Sequence, residues 1–198
     1  MSAMFKLSYG LFVVTARDGE KDNGCITNTV QQVTAAPNRI SLAVNKANFT
    51  HDMILKSGVF NVSIISEKAD FELFKRFGFA SGRDTDKFAG YGAAERAENG
   101  VLYVTEGTNS VLSAQVVQTV DLGTHTLFIA DVAGEKFWTK QRPQRTHTIL
   151  SILSRSRKQN RKQKAGYAKY AATSTRARNF LPISSALFVS TLPLILNR

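Results

Sequence analysis

Apolar and polar positions along the first two thirds of this chain fall into short strand-like runs separated by polar turns, with little helix between them. Gly10 to Ala16 (GLFVVTA) reads as a buried strand. Asp18 to Gly24 (DGEKDNG) is a polar turn, and Cys25 to Thr34 (CITNTVQQVT), β-branched at many positions, is the return strand. Pro37-Asn38 marks another turn, followed by an alternating strand over Arg39–Asn45. Asn48 is placed to cap a short helix running through Met53 to Lys56. Gly58–Ile65 is a strand, and Ser66 caps a second helix carrying Phe71, Leu73, Phe74 and Phe77. Arg83–Gly92 is a polar, glycine-containing loop. Leu102–Thr105 is a short strand, and Val111–Leu122 and Thr124–Ala133 are longer ones joined at Gly123. About seven regularly spaced strands and two short helices predict a closed antiparallel barrel.

Charge changes this picture at one point. All 15 acidic residues lie between Asp18 and Glu135, whereas 13 of the 26 Lys and Arg lie beyond Lys136. The net charge of +11 is therefore carried by the last 62 residues. An ordinary folded domain mixes both signs, so residues 1–136 and 137–198 are read separately. The first part is long enough to bury a core. Cys25 is the single cysteine, which excludes a disulfide framework or a cysteine metal site, and no metal site is expected. A reducing, cytoplasmic compartment fits. The N-terminal MSAMFKLSYG has neither the apolar run nor the cleavage pattern of a signal peptide. The apolar stretch Leu181–Ile195 is shorter than the roughly 20 residues of a membrane span.

Candidate chemistry clusters at two places. Asn45, Lys46, Asn48 and Thr50 sit where a strand ends and a helix begins, and the backbone N–H groups there favour a phosphate, with Lys46 adding positive charge. Taken alone, the same residues also read as a helix cap and a solvated lysine. Asn28, Thr29 and Gln32 are amide and hydroxyl side chains on an otherwise apolar strand, which need partners if buried and point to solvent if not. His125 opens the last long strand, where a structural role and a catalytic one are equally open. The mixed-charge run Arg83, Asp84, Asp86, Lys87 reads as a solvated loop. No paired carboxylates and no Ser–His–Asp set stand out.

The stretches KLSYGLFVVTA, ITNTVQQVT, AVNKANFTHDMI, GRDTDKFAG and DLGTHTLFIADV, in this order and spacing, resemble the flavin reductase-like family, and in particular the flavin domain of the high molecular weight rubredoxins. The resemblance covers residues 4–136. It implies a mainly β, antiparallel split β-barrel that binds FMN, with two or three short helices. It also implies a homodimer with FMN near the subunit interface, and an oxidoreductase passing a hydride from NAD(P)H to the flavin and electrons onward to a rubredoxin-type or other acceptor. On this reading Asn28, Thr29 and Gln32 line the flavin ring, Asn45, Lys46, Asn48 and Thr50 hold its phosphate, and His125 lies near the flavin or nicotinamide. A flavin-binding electron carrier with no NAD(P)H site of its own is the alternative.

Residues 137–198 admit three readings. The basic run Ser154–Lys164 suits nucleic-acid backbones; the basic then apolar order suits a membrane surface; or the stretch is out of frame. Joining the third base of each codon to the first two of the next lets Gln144–Ile149 spell Thr-Tyr-Ala-Tyr-Tyr. The same shift permits cysteine codons across Tyr167–Ala168, Tyr170–Ala171, Ser185–Ala186 and Phe188–Val189. That shifted product resembles a rubredoxin module with paired CxxC elements. It explains the missing acids, since GAN codons read out of frame become other residues. The expectation is that residues 137–198 form no native domain, remain disordered, and bind neither nucleic acid nor membrane specifically.

Overall fold

The computed structural model of the chain describes residues 3, 7–140, 142 and 143. They belong to a unit formed by Met1–Thr146. Nine strands and one full helix organise it: β1 (Phe12–Asp18), β2 (Lys21–Thr27), β3 (Gln31–Ala35), β4 (Asn38–Asn45), α1 (Phe49–Ser57), β5 (Val59–Ile65), a helical turn α2 (Phe71–Phe74) continuing into a π-helical turn (Lys75–Phe79), β6 (Ala94–Arg96), β7 (Leu102–Val104), β8 (Thr108–Asp121) and β9 (His125–Phe137). Seven strands form one antiparallel sheet in the order β2-β1-β5-β8-β9-β4-β3, and β6 pairs with β7.

The sheet is buried on both faces over much of β1 and β5, and the alternation says why. Val14, Ala16, Phe60 and Val62 join Leu42, Val44 and Phe128 in the barrel core. The opposite face carries Thr15, Asn61 and Ser63, which are fully buried because the β6–β7 ribbon lies across them. Asn61 Nδ2 donates to Val101 O at 2.8 Å and Ser63 Oγ accepts from Val104 N at 3.0 Å. Buried polar groups with such partners avoid the cost of desolvation. β8 and β9 carry register shifts at Ser113/Ala114 and Val116/Gln118, the bulges that bend long strands into a barrel wall. α1 turns Met53 and Ile54 into the core. It ends at Gly58, whose φ of 70° is left-handed and whose N–H returns to Ile54 O at 2.9 Å.

Four expectations are corrected. The barrel is not closed by a continuous ladder: β2 and β3, consecutive in sequence, lie at opposite edges of the sheet. The single return strand expected over Cys25–Thr34 therefore breaks at Asn28, because its first half pairs with β1 and its second with β4. Most of the polar stretch Asp18–Gly24 is already strand, with only Gly19 and Glu20 turning. The second helix is capped by Asp70, whose side chain accepts from Glu72 N, and not by Ser66.

The boundary at Lys136 moves as well. Phe137 completes β9, and the Trp138 indole N–H donates to Thr108 O at 3.0 Å while its ring packs on Tyr103. Glu67 N donates to Arg142 O at 2.9 Å, and Ser66 bridges Pro143. Phe137, Trp138, Arg142 and Pro143 thus all join the barrel. The expected disorder of the remaining tail concerns residues outside the described ones. No helix among the described residues is long and apolar enough to cross a membrane.

Candidate functional site

The β2–β3 connector bonds β4 near its end, where α1 begins. Asn48 caps α1 in extended backbone, its Oδ1 accepting from Thr50 N at 3.1 Å. Asn45, the last residue of β4, accepts from Ala47 N at 2.8 Å through Oδ1 and lies opposite His125 in the β4–β9 register. His125 is half-buried, and its Nδ1 lies 2.9 Å from Thr124 Oγ1. Thr29 Oγ1 donates to Ala43 O at 2.6 Å, tying the connector to β4 across the seam. Asn28 is half-buried, with no side-chain hydrogen bond among the described residues. Asn45 and Asn48 thus lie at the end of β4 with His125 opposite Asn45, and Thr29 reaches β4 two residues before Asn45.

Thr50 and Gln32 do not present their side chains there, and Lys46, whose N–H donates to Thr124 O at 3.0 Å at that end, is already ion-paired. The Lys46 ammonium lies 2.7 Å from Asp121 Oδ1 on the β8 side, which draws the Asp121 carboxyl below its usual range. Thr50 is fully buried, and its hydroxyl accepts from Asn23 Nδ2 at 3.0 Å, so it serves the core. Gln32 is exposed on the edge strand β3 and bonds across the hairpin to Asn38 Oδ1 at 3.1 Å. The outer-face reading of Gln32 holds.

Sequence reasoning missed the polar chain beside this site. His51 is 5% exposed; its Nε2 lies 2.9 Å from Thr126 Oγ1 on β9, and its Nδ1 lies 3.0 Å from Asp52 Oδ1. Asp52 Oδ2 accepts from the Arg83 guanidinium at 2.7 Å. The hydrogen bond with His51, and then Arg83, holds the Asp52 carboxyl below its usual range against the opposing effect of burial. Arg83 therefore does not belong to a merely solvated loop. Lys87 from the same loop is 4% exposed and donates to Gly24 O at 2.8 Å and Phe77 O at 3.2 Å. Burial pushes the Lys87 ammonium down and the neighbouring Cys25 thiol up. The alternation of β2 did not mark the contact at Gly24, because Lys87 lies 63 residues further along the chain.

Between the β1–β2 turn and residues 83–89 lies a cleft of about 490 Å³, lined by Glu20, Lys21, Asp22, Arg83, Asp86 and Phe88 among others. Its volume is within the range of small-ligand sites. Two cations of its wall lie against the first residue of α1: Lys21 Nζ lies 4.7 Å and Arg83 Cζ 5.1 Å from the centroid of the Phe49 ring.

Residues 4–150 match the family described as flavin reductase-like domain. Over 130 residues the chain is 41% identical to the high molecular weight rubredoxin of Moorella thermoacetica, covering 66% of this chain and 56% of that protein. Over 131 residues it is 38% identical to the ferric-chelate reductase (NAD(P)H) of Archaeoglobus fulgidus, covering 66% and 77%. A solved FMN-binding protein from Thermus thermophilus superposes with a TM-score of 0.60 at 25% identity, covering 68% of this chain and 73% of that one. The match thus spans little more than half of the Moorella protein.

Proposed function

Because the chain belongs to the flavin reductase-like family, we propose that it is a flavoprotein oxidoreductase that binds FMN, takes reducing equivalents from NAD(P)H and passes electrons to a rubredoxin-type or other acceptor. The match of residues 4–150 to that family carries the reading, and the antiparallel barrel split at the β2–β3 connector supports it.

The residues fit the group. A flavin mononucleotide needs a place for a dianion and a slot with a few polar groups for the ring edge. The capped first turn of α1 answers the first need. At the seam, the Asn28 amide without a side-chain partner answers the second. Bound FMN supplies hydride acceptance and onward electron transfer, which no side chain of this chain provides. Asn28 orients the ring edge; Thr29 holds the connector against β4; Asn45 and Asn48 order the turn that faces the phosphate; His125 stands at the same end of the barrel, beside the reacting partners. Val33, Val117, Val120 and Leu122 are exposed on β3 and on the distal half of β8 and its turn, which supports a second copy packing there as a homodimer.

The visible spectrum of the purified protein tests the reading. A flavin absorbance bleached anaerobically by NADH or NADPH is expected. Bound flavin without bleaching turns the assignment to the electron-transfer module, and no flavin uptake sinks both.

Residues 137–198 belong to the same proposal as an out-of-frame remnant of a rubredoxin module. The incomplete coverage of the Moorella relative, itself named a rubredoxin, supports this. Sequencing the gene across the codons for Lys136 and Phe137 decides it, and an intact frame with the same basic stretch in close relatives overturns it.

A further inference from the structure

We infer that Asn99, at the tip of the β6–β7 ribbon, is a self-modifying site whose side chain closes on the backbone nitrogen of Gly100, loses ammonia and reopens with water to a carboxylate that unfastens the ribbon from the barrel. In the closing step a bond forms from Cγ to the Gly100 nitrogen, the bond from Cγ to Nδ2 breaks, and the Gly100 amide proton leaves with the ammonia. Water then adds to the succinimide and leaves aspartate or isoaspartate, with no oxidant or cofactor. Glycine in the second position favours this ring, because no side chain shields the attacking nitrogen. Asn-Gly occurs twice in the chain, at Asn23–Gly24 and Asn99–Gly100, and the fold treats the two pairs oppositely.

Asn23–Gly24 lies inside β2, with both residues in register with β1. Asn23 is 1% exposed, and its Nδ2 donates to Thr50 Oγ1 at 3.0 Å. A Cβ on Gly24 would stand 3.0 Å from Thr15 Cγ2 and 3.1 Å from Phe77 Cδ1, and Gly24 O accepts from Lys87 at 2.8 Å. Ring closure there requires β2 to leave the sheet. Asn99–Gly100 instead belongs to the three-residue loop that joins β6 to β7. Gly100 N donates to Ala97 O at 2.9 Å, Ala97 N donates to Val101 O at 3.0 Å, and Gly100 takes a left-handed φ of 78°. A Cβ on Gly100 would meet nothing within 4 Å, so water has access to the pair. A single turn hydrogen bond holds the attacking nitrogen, and a loop tip opens far more often than a strand packed on both sides.

The consequence follows from what the Asn99 amide holds. Its Oδ1 accepts from Val101 N at 3.1 Å, which leaves Nδ2 to donate to Asn61 Oδ1 at 2.8 Å. Asn61 is fully buried, and its own Nδ2 donates to Val101 O at 2.8 Å, so it cannot turn its amide round without losing that bond. A carboxylate at position 99 sets an acceptor against the Asn61 acceptor and leaves a buried oxygen unpaired beside a charge. Isoaspartate also lengthens the main chain by one carbon, in a loop whose Ala97, Gly100 and Val101 are bonded to one another. The ribbon then loses its fastening at the tip, while Arg96 still holds Asp22 and Val104 N still donates to Ser63.

The test ages the folded, full-length protein in mildly alkaline buffer and follows both asparagines by peptide mass mapping, with isoaspartate measured separately. Conversion at Asn99 is expected to run about tenfold or more faster than at Asn23, with isoaspartate among the products. Asn99→Gln should show no conversion at position 99, because its longer side chain would have to close a six-membered ring. Asn99→Asp, a stand-in for one product, is expected to melt about 2–10 °C below the wild type at neutral pH. That deficit should shrink as pH falls toward about 4, where a protonated carboxyl donates to Asn61 Oδ1 as the amide did. Aged wild-type protein, separated by charge into converted and unconverted fractions, gives the same comparison of melts should Asn99→Asp not fold. Equal rates at the two asparagines overturn the inference, as does conversion at Asn99 only after unfolding in urea. Converted protein that melts with the unconverted fraction overturns the unfastening of the ribbon.

Discussion

Gly82→Ala tests the seating of the 80–92 loop most directly. The added Cβ would stand 2.1 Å from Asn23 Oδ1, 2.4 Å from Cγ and 2.5 Å from Nδ2. Asn23 cannot swing away, because it is 1% exposed and bonded to Thr50 on α1. The loop must lift instead, withdrawing Arg83 from Asp52. Overpacking of this kind costs about 1–3 kcal/mol. Asn23→Ala alone loses its bond to Thr50, about 1 kcal/mol, but removes the unpaired Oδ1 and opens the space. In that background Gly82→Ala is expected to cost close to nothing, giving a coupling of about 1–3 kcal/mol between neighbouring sites. Urea unfolding followed by the fluorescence of Trp138, the single tryptophan, measures all four corners of the cycle. The corresponding shift in Tm is about 2–4 °C per kcal/mol for a chain of this size. An equal cost for Gly82→Ala with and without Asn23 refutes the argument.

Replacing Asn48 by Ala removes the α1 cap and is expected to cost about 1 kcal/mol, read by the same unfolding assay, with FMN affinity reduced because the first turn frays. At alkaline pH, burial pushes the Tyr91 hydroxyl from 10.0 up to about 12. The unfolded chain then releases this proton first, so stability falls as pH rises from about 10 to 12. Tyr91→Phe should flatten that part of the profile. The loss that begins above pH 9.0, where burial keeps the Cys25 thiol protonated, should remain. Ending the chain after Lys136 should destabilise the barrel more than ending it after Pro143, since only the shorter form loses the Trp138 contacts and the pairing of Arg142 and Pro143 with residues 66–67; parallel melts of the two forms check this.

Strand periodicity, the Asn48 cap and the resemblance of five ordered stretches sufficed for the antiparallel barrel and its helix. These are local signals: a side chain that caps its own helix, or an alternation that buries one face, is written within a few residues. Which edge each strand joins is not local. Cys25–Thr34 carries one continuous β-branched run, yet it divides because its halves pair on opposite edges of the sheet. Thr50 and Lys46 look alike as polar residues of one turn, and only packing sends the first into the core toward Asn23 and the second out to Asp121. Arg83 reads as a solvated loop charge until Gly82 is seen resting on Asn23 and Asp52 is seen holding the guanidinium. Sequence alone determined that an antiparallel β architecture with a capped helix forms, and the charge break that sets off the basic stretch. The tertiary structure decided which charges converge, because residues 21, 49, 52 and 83 meet only when a turn, a helix and a distant loop close on the same edge of the sheet.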